Sequence, residues 1–143
     1  MSRREAILSA LHVQLAAALA VPVRRNEALP ERLGANGLVM LRDGEPGVPD
    51  VTLNPRHEFY SHRTEIEACV PRPASGGADA LLDALLTAIG QALNLDPTLG
   101  GLAEHMEASA PVVSVLAVEG GAPILAARLE VRLDYLVSDP LTS

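Results

Sequence analysis

The 143-residue chain offers four histidines, one cysteine and eighteen carboxylates as side chains for acid–base, metal or nucleophilic chemistry. Histidine titrates near neutrality, so it is the first place to look for a general base or a metal ligand. His57 and His62 share a segment with Glu58 and Glu65, and His105 follows Glu104. On a strand, side chains two residues apart share a face, and the 57–65 segment holds neither a His-x-His nor a His-x-Glu pair. Their odd spacing sets His57 and His62 on opposite faces of a regular strand. Both read as surface histidines beside carboxylates. The alternative, a small α+β enzyme using His57, His62 and Glu65, requires a pocket where those side chains converge.

Nucleophile and phosphate motifs are equally thin. There is no Gly-x-Ser-x-Gly elbow, and Cys69 sits between Ala68 and Val70, away from any helix start or cationic neighbour. A lone cysteine excludes an intrachain disulfide and a Cys-rich zinc site; it reads as a small buried apolar side chain. Gly76-Gly77, Gly100-Gly101 and Gly120-Gly121 lack the lysine of a phosphate loop, because all eleven basic residues are arginine. The carboxylate pairs Glu65/Glu67 and Glu104/Glu107 are expected by chance among so many acids. No catalytic, cofactor-binding or metal-binding residue is assigned.

Composition narrows the class further. Aromatics make up 2% of the chain, against 48% hydrophobic residues, so the core must be aliphatic. Ring-stacking platforms for bases or sugars are disfavoured for the same reason. A net charge of −7 without a basic cluster disfavours phosphate-backbone binding. Arg3-Arg4 followed by Ala6–Ala17 and Ala18-Leu19-Ala20 imitates a signal peptide, but Glu5, His12 and Gln14 interrupt it. The stripe Leu8, Leu11, Leu15 and Leu19 suits an amphipathic helix instead, and no apolar run is long enough for a membrane span.

The elements that must position these residues follow from periodicity. Residues 3–20 form a first helix ending before Pro22, and Val21–Arg24 a short strand. Residues 26–36 form an irregular loop. The buried strand Gly37–Arg42 stops at the turn pair Asp43-Gly44, so Asp43–Asp50 becomes an exposed arm or hairpin tip. A weak strand at Val51–Leu53 precedes a long one, Phe59–Val70, with Ile66, Ala68 and Val70 on one face and Arg63, Glu65 and Glu67 on the other. A second helix covers Ala78–Leu95 with the stripe Leu81, Leu85, Ala88, Ala92 and Leu95. An extended segment within Leu102–Val118 turns at Glu119-Gly120-Gly121 into the strand Ile124–Val137. There Leu125, Ala127, Leu129, Val131, Leu133 and Tyr135 alternate with Arg128, Glu130, Arg132 and Asp134. The expected fold is a single α+β domain over residues 1–143, two amphipathic helices packed on one face of a mostly antiparallel sheet. Its other face carries a ladder of alternating charges.

In the order of these elements, and in the phrases His57–Val70 (HEFYSHRTEIEACV), Leu81–Leu102 (LLDALLTAIGQALNLDPTLGGL) and Glu119–Tyr135 (EGGAPILAARLEVRLDY), the chain resembles the tail terminator, or tail-completion, proteins of long-tailed phages, prophages and gene transfer agents. The opening helix and its Arg24-Arg25-Asn26 exit fit the same pattern, while residues 26–56 match least. The resemblance implies a ring, usually of six copies, that caps the tail tube, stops its growth and presents a surface to head-completion proteins. It implies assembly in the bacterial cytoplasm, no catalytic residue, no cofactor, no membrane, and DNA met only in passage through the lumen. Candidate contacts are Asp43, Glu45 and Asp50 of the arm, and Arg128, Glu130, Arg132 and Asp134 of the last strand. A head-closure or connector protein of the same particle and a stand-alone protein-binding module are the other readings.

Overall fold

The computed structural model describes all 143 residues. Helix α1 (Arg3–Ala18) starts where the Ser2 hydroxyl accepts the Glu5 N–H at 3.2 Å, an N-cap that satisfies an otherwise orphaned donor. Its buried stripe is Ile7, Leu8, Leu11 and Leu15. The helix ends two residues before the expected Ala20, since Leu19 turns extended and still enters the core. Strands β1 (Val23–Arg25), β2 (Leu38–Glu45), β3 (Asp50–Thr52) and β4 (His57–Pro71) follow, then helix α2 (Ala78–Leu95). Strands β5 (His105–Ala108), β6 (Val112–Leu116) and β7 (Ile124–Val137) complete the chain.

All seven strands form one sheet in the order β1-β2-β4-β7-β5, with β3 also on β4 and β6 also on β7. Only β1 pairs in parallel. Both helices lie on one face over an aliphatic core that includes Leu11, Leu15, Val39, Leu41, Ile66, Leu85, Ile89 and Leu133. The fold is the expected α+β arrangement. No helix is long and apolar enough to cross a membrane.

Three local departures have physical reasons. The buried face of α2 is Ala78, Leu82, Leu85, Ile89, Ala92 and Leu93, while Leu95 is 71% exposed. The helix is apolar over so much of its girth that two stripes fit a three-to-four spacing, and packing selects the rotated one. Gln14, which interrupts the apolar run of α1, donates to the Ala92 carbonyl of α2 at 2.8 Å and ties the two helices together. The extended segment before β7 is two strands, β5 and β6, both paired with β7 and broken at Ser109–Pro111.

The third departure is at Asp43-Gly44, which is a bulge inside β2 and not a turn. Arg42 pairs with Glu65 but Glu45 with Arg63, so one extra residue sits on β2. Gly44 takes a φ of +66°, and a Cβ there would lie 1.8 Å from the Arg63 carbonyl oxygen. Gly44→Ala should therefore destabilise the fold by at least ~2 kcal/mol in denaturant unfolding. Gly47→Ala, in open space at φ +72°, should cost only about 1 kcal/mol. Equal effects at the two positions would show that the bulge does not fix the register.

Candidate assembly face

The sheet face away from the helices divides into two parts. At one end, Cys69, Ile124 and Ala126 form a small second core with Leu29 and Leu33 from the 26–36 loop and with Leu116 and Val118. This explains why Leu38, Val39, Met40 and Leu41 are all buried: both faces of β2 are covered there. It also buries Cys69, whose thiol is pushed up to about 11 by desolvation.

The rest of that face is the charged ladder. The β4–β7 register sets Arg63 opposite Arg132, Glu65 opposite Glu130 and Glu67 opposite Arg128. The first two pairings place like charges side by side, an arrangement that is destabilising in an isolated sheet. Ion pairs form on diagonals and at the flanks. Arg128 meets Glu65, Arg42 meets Glu67 at 2.8 Å, and Arg132 meets Glu107 at 3.1 Å. No opposite charge lies within ion-pairing distance of Arg63 or Glu130. A trough of about 470 Å³ runs across this face, lined by Glu45, Arg63, Glu65, Arg128 and Glu130 together with Ser109, Ala110 and Val112. Sequence reasoning singled out the β7 side of this trough; the β4 side was legible as charge alternation, but the register that opposes like charges was not.

The expected contact residues separate in space. Arg128, Glu130 and Arg132 are exposed on the charged face. Asp134 is buried at 8% exposure, 3.3 Å from the Arg132 Nε, and its Oδ1 accepts no hydrogen bond. The stretch expected as an arm or hairpin tip over 43–50 runs along β4 instead: β2 and β3 lie end to end, with Glu45 opposite Arg63 and Asp50 opposite Phe59, and Pro46–Pro49 bridges them along that edge. Glu45 and Asp50 are exposed beside this connection.

Asp43 belongs to neither arm nor charged face. It accepts from the Arg25 Nε at 2.7 Å, while both Glu5 oxygens accept from the Arg25 guanidinium at 2.8 Å. Asp43 follows Val39 and Leu41 on the helix side of β2, so this clamp joins α1, β1 and β2. Hydrogen bonds from Arg25 hold the Glu5 carboxyl down at about 2, and hold Asp43 below the usual carboxylate range.

The histidines do not converge. His62 is 1% exposed on the helix face, which corrects its reading as a surface residue. A carbonyl can only accept, so Nε2–H donates to the Asp43 oxygen at 2.6 Å, and Nδ1 then accepts from the Tyr135 hydroxyl at 3.1 Å. Burial pushes the His62 pKa down. Glu65 lies on the opposite face, and His57 is at the far end of β4. The set His57, His62 and Glu65 therefore has no common pocket. His12, on α1, donates to the Val23 carbonyl at 2.9 Å and occupies the outer side of β1.

The clamp has a pH signature. The folded-state pKa of Glu5 is lowered, so the stability it contributes is present above its ordinary value of 4.5 and is lost as pH falls toward about 2. Glu5→Gln should be less stable than the parent at neutral pH, and that gap should close as pH falls through this window. A gap independent of pH would mean that packing, not charge, is the contribution of Glu5. Unfolding titrations of both chains at several pH values decide this.

No family model matches this chain, and neither does any curated protein.

Proposed function

We propose that the chain is the tail terminator subunit of a phage-type particle, a structural part that caps the tail tube as a ring and offers a surface for head joining. The observation that carries this reading is the charged β4–β7 face. Two helices cover one side of the sheet, yet Arg63, Glu65, Arg128 and Glu130 stay uncovered, with like charges opposed in the register. Such a face is suited to a second polar surface that supplies the missing counter-charges. A head-to-tail ring requires each subunit to present two different complementary surfaces. The trough is one; the Pro46–Pro49 connection with Glu45 and Asp50 is a second. The balance of −7 also suits a lumen through which DNA passes without being held. Assembly would take place in the bacterial cytoplasm, with the tube protein and head-completion proteins as partners.

The decisive experiment is negative-stain imaging of particles from the producing bacterium after deletion of the gene. Overlong or variable tails support a terminator, because tube growth has lost its stop. Tails of normal length without heads point to a head-closure or connector role, and normal particles overturn both. A finer test separates the face from the fold. Arg63→Gln with Glu130→Gln removes both like-charge pairings, so the isolated chain should keep or slightly raise its stability, by within about 0.5 kcal/mol. Complementation by this variant should nevertheless yield defective tails. Glu45→Gln with Asp50→Asn, both exposed, should likewise spare the sheet and impair assembly; wild-type tails from both variants would remove this face and connection from the proposal.

A further inference from the structure

The two side edges of the sheet are treated differently. The β1 edge is guarded: it is three residues long, and the Val23 carbonyl is taken by His12. The β6 edge is open. Its sequence Val112-Val113-Ser114-Val115-Leu116 carries no charge, and the three valines are 71%, 52% and 49% exposed in chain order. Val113 and Val115 belong to the helix face of the sheet, where they partner Ala127 and Leu125, yet neither helix reaches over them. An uncharged, exposed, apolar edge strand is a template for another strand.

The backbone defines which groups are free. Ser109 N–H donates to the Glu130 carbonyl, so even-numbered residues of β7 direct their backbone groups toward the β5–β6 side. The β4–β7 register runs without a break, which carries this parity to Arg128 and Ala126, the partners of Val112 and Ser114. The N–H and C=O groups of Val113 and Val115 therefore point away from the sheet.

We infer that β6 pairs antiparallel with β6 of a second copy of this chain, across a two-fold axis at Ser114. In that register Val113 exchanges both backbone hydrogen bonds with Val115 of the other copy, the two residues whose groups are free. The strand is nearly palindromic about Ser114: Val113 faces Val115 on the helix side, and Val112 faces Leu116 on the other side, so every contact but the central Ser114–Ser114 pair is apolar. Pro111 opposes Ala117 and ends the ladder, since proline brings no N–H. The alternative strand edge, β3, is three residues long and sits on the 57–59 end of β4, whereas β6 aligns through β7 with residues 67–71. Joining β6 to β3 of another copy displaces successive sheets by roughly 30 Å along the strands, which leaves most of each edge unpaired. The self-pair closes at two copies and does not depend on the tail reading.

Sedimentation and cross-linking of the full chain test it. The parent should sediment at twice the chain mass and dissociate on dilution. Ser114 and its symmetry mate form a non-hydrogen-bonded pair, with Cα atoms about 4.5 Å apart, so Ser114→Cys should oxidise to a covalent dimer. Buried Cys69 stays out of this reaction. Val113→Pro removes an N–H that the single subunit leaves unpaired; it should keep the circular dichroism of the parent, match its melting at dilutions where the parent has dissociated, and sediment as a monomer. A parent that is monomeric throughout, a dimer that survives Val113→Pro, or a Ser114→Cys chain that stays uncross-linked overturns the inference. A larger ring without a Ser114 cross-link overturns it too, and leaves the terminator reading standing.

Discussion

The antiparallel ladder between β4 and β7 is the constraint on which the remaining structure depends. It runs from Glu58 opposite Val137 to Pro71 opposite Ile124, and every other strand attaches to one of its members or to β2, which β4 holds. Its register is locked by the alternation of β7. A slip of one residue would turn Leu129, Val131 and Leu133 to solvent and drive Arg128, Glu130 and Arg132 under the helices. The chain between these two strands runs through α2, β5 and β6, and the Leu85 and Ile89 face of α2 offsets the closure entropy by packing over both. The same ladder decides where the charges stand, because a register chosen by the apolar face leaves the polar face no freedom to avoid opposing Arg63 to Arg132.

The two faces thus obey different physics. The helix face is an aliphatic core whose only large polar inclusions are satisfied internally. Tyr60 and Tyr135 stack with centroids 5.7 Å apart; the Tyr60 hydroxyl donates to Glu58, and that of Tyr135 to His62. Thr64 donates to the Val131 carbonyl at 2.7 Å. These groups sit beside the Arg25 clamp, so the end of the core with least aliphatic bulk is the one held by directional interactions. The charged face has no such closure. Apart from those of buried Glu67 and Asp134, its pairs are exposed to water, which makes each of them worth little to the single subunit.

Periodicity made the long elements legible. The alternation of Ile124–Val137 and the spacing in Ala78–Leu95 returned both elements with the bounds observed, because each is long enough for its period to dominate. Asp43-Gly44 was misread for a reason that local rules contain: the left-handed glycine of a turn is also the glycine of a bulge, and only the partner strand distinguishes them. His62 was misread because a polar residue on the apolar face looks out of place until its two partners, nineteen and seventy-three residues away, are known. The cover that the 26–36 loop lays over Cys69 had one visible sign, the unbroken apolar run Leu38–Leu41, which marks a strand buried on both sides. The charged residues of the candidate face were visible singly; their opposition depends on strand register.

That opposition bears on why the face is left bare. The fold has the means to cover it, since Leu29, Leu33 and the β6–β7 hairpin already bury the adjoining part of the same side. Extending that cover by a few apolar residues would replace Glu65, Glu130 and Arg63 with contacts that favour the isolated subunit at about 25 cal/mol per Å² buried. The chain instead keeps like charges opposed within the subunit, two of which, Arg63 and Glu130, have no ion-pair partner inside it. Stability of the single chain is therefore not the constraint that shaped this surface. A repulsion that weakens the subunit alone becomes an attraction when a neighbour brings the opposite sign, so the same residues that are neutral or costly in one copy can set the angle and identity of the next. In the ring proposed above, such a face would tie affinity to assembly, because its charges gain from a neighbour what the single copy does not supply.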